Sequence, residues 1–201
     1  MTTKYHFQEI RLQILLDLVP AYPAKLSEYE GSACLGEVVF GSPLPHPNSV
    51  LNLFVTCRVA FALPFAYYRV CVTSDPVSLG TSTGGTALFP NTLEMALHGQ
   101  ARLKTEEVQL ARGVAFRDCA SWGSCSRKSP GGRTLIFDWI HPEVTTQGGI
   151  LERGDIPGPG YCSRCSQAFQ QELSKAKKDT WENLPSYFGL PSWDGIVNLP
   201  L

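Results

Sequence analysis

A long apolar run is missing from this sequence. None approaches the roughly 18 residues that a membrane span needs, so no transmembrane segment is expected. The opening residues Met1-Thr2-Thr3-Lys4-Tyr5-His6 lack the apolar core of a signal peptide as well. No asparagine sits in an N-x-[ST] acceptor, and seven cysteines are an odd number, so neither secretory glycosylation nor a complete disulfide framework is indicated. The expectation is an intracellular chain, cytoplasmic or nuclear, with reduced thiols. An excess of charge of one sign is missing too. The 17 Lys+Arg against 18 Asp+Glu leave a net charge of −1, too little to gather nucleic acid or an anionic membrane surface. There is no internal repeat at a fixed period. What the chain does have is a 43% hydrophobic composition over 201 residues, enough for a packed core in one large domain or two small ones.

The apolar residues follow a helical rhythm. Phe7, Ile10, Ile14, Leu15 and Leu18 recur at three- and four-residue steps, which predicts an amphipathic helix from Lys4 to Leu18, closed by Pro20 and Pro23. Ala24 to Glu30 offers one more short turn before Gly31. Asn48-Ser49 reads as a cap for a second main helix running to about Ala62 through Val50, Leu51, Phe54, Val55 and Val59. Pro64 suits the first turn of a third, from Phe65 to Val72, and the two together predict a helical hairpin. Ser74 to Pro90, with its glycines, prolines and hydroxyl residues, reads as loop or short extended pieces. Helix resumes over Leu93 to Leu97 and again after Thr105, where Glu106 and Glu107 would occupy a first turn, reaching Arg117 or Cys119. Ala120 to Gly160 is rich in Gly, Ser, Pro and Arg around one apolar island, Leu135 to Ile140. A last helix should start near Tyr161 or Cys162 and pass through Phe169, Leu173, Ala176 and Trp181 to about Leu184, ended by Pro185 and Gly189. The fold class expected is mainly α: a helical bundle or hairpins with long Gly/Pro-rich loops and few short strands. Its parts would be a helical domain over 1–119, an irregular region over 120–160, and a Cys-x-x-Cys helix with an aromatic, Pro-rich tail over 161–201 packing on the same domain.

Two stretches carry a family likeness. Lys4-Tyr5-His6-Phe7-Gln8-Glu9-Ile10-Arg11-Leu12-Gln13, continuing to Tyr22-Pro23-Ala24-Lys25-Leu26-Ser27-Glu28-Tyr29 and then Ala62-Leu63-Pro64-Phe65-Ala66-Tyr67-Tyr68, resembles the helical segment after the BTB/POZ core of fungal BTB domain-containing proteins. The tail Trp181-Glu182-Asn183-Leu184-Pro185-Ser186-Tyr187-Phe188-Gly189-Leu190-Pro191-Ser192-Trp193 is similar to the ending of the same proteins. In that family the core, an α/β unit of about a hundred residues, makes dimers and in many members binds a cullin scaffold. Nothing of that size precedes Lys4, so neither activity carries over. The resemblance implies a post-core region, from a truncated member, a gene fragment or a paralogue without its dimerising half, whose role is partner or substrate recognition.

Among residues that could do chemistry, Cys119, Cys125, Cys162 and Cys165 stand out. Cys162-Ser163-Arg164-Cys165 is a Cys-x-x-Cys at a helix start, where the first-turn amides favour thiolate, and two further thiols could complete a tetrahedral zinc site. The alternatives are incidental thiols or a redox pair. Five residues separate Cys119 from Cys125, beyond the usual two to four or so, and His141 could replace one sulfur. One structural zinc is the only cofactor to weigh. Cys34, Cys57 and Cys71 sit among apolar neighbours and read as packing residues.

Gly80-Thr81-Ser82-Thr83-Gly84 fits the G-x-S-x-G elbow of a serine hydrolase. That elbow needs a strand before the serine and a helix after it, whereas Pro76 lies upstream and Gly85 to Pro90 is no helix start. His46 and His98 have no partner at a metal or triad spacing, and His6 belongs to the polar face of the first helix. The basic clusters Arg127-Lys128 with Arg133, and Lys175, Lys177 and Lys178, are small and read as solvated faces. No catalytic residue is expected. Trp181, Tyr187, Phe188 and Trp193 could anchor a protein partner, or the tail could turn back at Pro185, Gly189 and Pro191 and cap the chain's own core. The expected function is a non-enzymatic protein-interaction module with protein partners and no nucleic acid or membrane. The rivals are a small hydrolase using Ser82 and a zinc or thiol domain.

Overall fold

The computed structural model describes residues 3–31, 45–74, 76–81, 87–115, 149–154 and 160–197, and the isolated positions 119, 125 and 131. Among the described residues 81% are helical and none lies in a strand. The mainly α expectation is met, and the few short strands are not found there. In chain order the helices are α1 (Thr3–Leu18), α2 (Leu26–Gly31), α3 (Pro47–Cys57), α4 (Leu63–Thr73), α5 (Pro76–Thr81), α6 (Pro90–Ala115), α7 (Ser163–Tyr187) and α8 (Trp193–Val197). Short 3-10 turns lie at Val19–Ala21, Ala60–Ala62 and Ile150–Glu152.

Helix α4 is the centre of the molecule, because it has almost no polar face. Pro64, Phe65, Ala66, Tyr67, Tyr68, Val70 and Cys71 are all buried, and a helix apolar on all sides must be surrounded. Helices α3, α6 and α7 pack around it. The α3–α4 hairpin forms as its prolines suggest, with two corrections. The cap of α3 is His46, whose Nδ1 accepts from the Asn48 amide at 3.3 Å, with Pro47 in the first turn. The helix ends at Cys57 rather than near Ala62, because Arg58 takes a left-handed conformation (φ 57°) that reverses the chain into the Ala60–Ala62 turn.

Two expectations fail between α4 and α7. The stretch after Ser74 includes a helix, α5, and Leu79 on it is buried. Leu93 to Ala115 is one uninterrupted helix, not two. Its buried residues Thr92, Ala96, Gly99, Gln100, Leu103, Glu107, Leu110, Ala111 and Val114 keep a three-to-four-residue stride. Glu106 and Glu107 are therefore mid-helix: Thr105 donates back to the Ala101 carbonyl at 3.0 Å, and the buried Glu107 pairs with Lys104 at 2.7 Å. Gly99 is present for close approach. A Cβ there would lie 2.0 Å from Cε1 of Phe188, whose ring fills that space. Gln100 extends the same face and donates from Nε2 to the Cys71 and Ser74 carbonyls at 2.8 and 2.7 Å, capping the C-terminus of α4 from a neighbouring helix.

The tail turns back on the core. Pro185 does not stop α7 but lies in its last turn. With no amide hydrogen to give, it leaves the Trp181 carbonyl four residues earlier without its helical donor. The Trp193 indole takes that place, its Nε1–H donating to the Trp181 carbonyl at 2.7 Å, while the two rings stack at 5.6 Å and 10°. Gly189, at φ 66°, makes the turn between them, and the Leu190 amide closes on the Pro185 carbonyl at 2.9 Å. Trp193→Phe keeps an aromatic ring over Trp181, a smaller one, and removes the donor. It is expected to cost about 1–2 kcal/mol in urea unfolding, and an unchanged midpoint would contradict the pairing.

Tyrosines fill much of this core, with an alkaline consequence. Burial pushes the Tyr22 and Tyr187 phenols up to about 12, the former partly offset by Arg69, and raises Tyr29 and Tyr68 further. Above pH 10, where an ordinary phenol ionises, the native chain thus holds protons that the unfolded chain has lost. Stability should be unaffected by these groups below about pH 10 and fall as pH climbs toward 12. Denaturant midpoints measured from pH 9 upward, with tyrosinate absorbance, check this.

Candidate metal centre

The geometry of interest lies where α6 ends and α7 begins. Leu110, Ala111, Val114 and Ala115 of α6, Ile150 of the short turn, and Phe169 and Leu173 of α7 form a second apolar cluster, separate from the main core. Cys165 stands one helical turn before Phe169 and two before Leu173, so its side chain continues the same buried stripe, at 5% exposure. Cys162 is the N-cap of α7, and its thiol makes no capping hydrogen bond to the first turn. Cys125, 7% exposed, and Cys119, half-buried, come to the same place from the other side of the long insertion.

The four Sγ atoms all lie within 4.8 Å of one another. A tetrahedral ion with sulfur bonds of about 2.3 Å requires sulfur pairs about 3.8 Å apart, and Cys119 and Cys162 stand at 3.8 Å. The Cys162 amide also donates to Cys125 Sγ at 3.5 Å, the kind of outer hydrogen bond that supports a thiolate ligand. Cys162 and Cys165 stand at the start of a 25-residue helix, where the local potential is positive. These four cysteines can hold one metal ion. The five-residue spacing that weakened the Cys119–Cys125 pair in the sequence does not prevent the convergence. His141, the alternative ligand, lies outside the described residues.

The C-terminal end of the insertion is fastened by a second device with no sequence signal. Glu152 accepts from the Gly149 amide at 2.9 Å and from the Tyr68 hydroxyl, which in turn accepts from the Leu151 amide at 3.2 Å. A Cβ at Gly149 would meet that hydroxyl at 2.6 Å and Val72 Cγ1 at 2.8 Å. The carboxylate on Tyr68 is one reason, after burial, for the raised phenol pKa. So the C-terminal end of the insertion is tied to α4 by this clasp, and its beginning lies where the four sulfurs converge.

The other candidates fall elsewhere. Cys71 lies in the core, donating to the Ala96 carbonyl at 3.3 Å, and burial pushes its thiol up to about 12; Cys57 is half-buried against the same core. Cys34, Ser82, Arg127, Lys128, Arg133 and the island from Leu135 to Ile140 lie outside the described residues, as does the side chain of His6. The residues leading to Ser82 form helix α5, where a nucleophile elbow has a strand. His46 caps α3, and His98 is exposed on α6. Lys175 lines a cavity of about 210 Å³ together with Glu106, Glu172 and Asp179. Trp181, Tyr187 and Phe188 are buried at 4%, 7% and 1% exposure, and Trp193 is half-buried on Trp181, so in this packing they line the chain's own core. No helix among the described residues is long and apolar enough to cross a membrane. No protein-family model matches the chain, and no curated protein and no solved structure matches it either.

Proposed function

We propose that this chain is a non-enzymatic protein-interaction module whose helices are stapled by one structural zinc ion on Cys119, Cys125, Cys162 and Cys165. The convergence of those four sulfurs carries the reading. All four positions are protein ligands, as in a closed structural site, whereas a catalytic zinc keeps one position open for water or substrate. The four-thiolate set suits zinc among the abundant divalent ions, since harder ions select oxygen donors. Zinc bound there would tie the insertion to the second apolar cluster, and its binding free energy would add to the stability of that region. A thiolate-held zinc suits a reducing, intracellular compartment.

The interaction role rests on the resemblance to the post-core region of BTB proteins and on the surface of α1. Leu12 and Leu16, one turn apart on one face of that helix, are 58% and 59% exposed. Apolar side chains presented together on a helix suit a protein partner better than a solvated face does. A net charge of −1 provides no overall field to gather nucleic acid or an anionic membrane.

Metal analysis of the purified full chain tests the staple: about one zinc per chain is expected, and a folded, metal-free protein that takes up no zinc would overturn it. The interaction role is tested by comparing proteins that copurify from source cells with the natural chain and with a Leu12→Glu/Leu16→Glu variant. An identical set from both would remove α1 from the role.

A further inference from the structure

The four ligands are not equivalent toward solvent. Cys125 and Cys165 are sealed at 7% and 5% exposure, while Cys119 and Cys162 are half-buried and stand Sγ to Sγ at 3.8 Å. These two come from segments 43 positions apart, one on each side of the insertion. We propose that the centre is a redox-released clip, in which an oxidant of the hydroperoxide class joins Cys119 to Cys162 and frees the metal. The inference rests on the zinc reading.

Thiolate character and access decide which cysteine an oxidant reaches. Metal binding keeps all four sulfurs deprotonated at neutral pH, so access decides here, and it selects the half-buried pair. Attack by one of these thiolates on peroxide breaks the O–O bond, releases hydroxide and leaves a sulfenic acid. The second thiolate then attacks that sulfur, forms the S–S bond and expels a second hydroxide. Two electrons pass from the two sulfurs to the peroxide, and the zinc ion keeps its charge. Left with Cys125 and Cys165 as its only protein ligands, it dissociates. The new disulfide spans the same two segments that the metal joined, so the insertion stays tethered while Cys125 and Cys165 lose their ion.

The test uses the full chain with its zinc content first measured. Hydrogen peroxide is titrated in the presence of a chromogenic zinc chelator, and cross-linked peptides are mapped by mass spectrometry without reduction. The expected result is release approaching one zinc per chain, Cys119–Cys162 as the main cross-link, and recovery of metal binding after dithiothreitol and added zinc. Zinc retained under conditions that oxidise Cys57, or a dominant Cys162–Cys165 cross-link, would overturn the switch and leave the staple standing. A folded chain that contains no zinc and takes none up would overturn both.

Discussion

Phe188→Ala is expected to cost about 3–5 kcal/mol, about 10 °C or more in thermal midpoint for a chain of this size. The ring is 1% exposed, stacked on Tyr67 at 4.9 Å and 18°, and pressed against the backbone of α6 at Gly99. Removing it empties a space bounded by rigid helices that cannot close over it. Gly99→Ala attacks the same contact from the other side. Alanine gains about 1 kcal/mol in helix propensity, but its Cβ would lie 2.0 Å from the ring. The ring cannot yield, because Tyr67 is behind it, so a net loss of about 2 kcal/mol is expected. The double variant decides whether this is one contact. With the ring gone the new methyl enters vacated space, so the combined loss should be smaller than the sum. Strict additivity in urea unfolding would show that Gly99 and Phe188 act separately.

Loss of the metal should be felt on a similar scale. Cys165→Ser is close to isosteric and removes one of the four proposed ligands, a buried one. The variant should bind little zinc and melt about 10 °C below the zinc-loaded chain. Chelator supplies the control. In its presence the natural chain and the variant should melt together, because what separates them is the ion. A gap that persists in chelator would assign the effect to packing of the thiol against the Phe169 stripe. Helices α3 and α4 lie in the main core, away from the second cluster, so hydrogen exchange on metal removal should rise first near Cys162 and the end of α6.

Local chemistry made much of this fold legible. Pro64 announced the start of α4, Asn48-Ser49 placed the start of α3 only one or two residues late, and the three-to-four-residue stride located the start of α7 within a residue or two but not its end. What failed was local reading of residues whose reasons are tertiary. Gly99 looks like a breaker in the middle of α6, and its purpose is visible only once Phe188 is laid against it. Pro185 looks like a stop, yet the helix continues because Trp193 supplies the missing donor. Gln100 and Glu152 gave no signal, since any polar residue looks alike until its carbonyl or hydroxyl partner is in place. For the candidate site the balance differs. Cysteine chemistry and the Cys162–Cys165 spacing were readable, but the approach of Cys119 and Cys125 depends on how the chain returns from α6 to α7.

The pairing of Pro185 with Trp193 has a consequence for how such a chain can change over generations. If Trp193 is lost first, the Trp181 carbonyl is left inside the fold without a donor, and the change is costly. If Pro185 is lost first, its replacement brings a backbone amide that can serve that carbonyl itself, and the indole becomes dispensable. Neutral drift through this tail therefore has a direction, proline before tryptophan, and descendants that keep the proline should keep the indole.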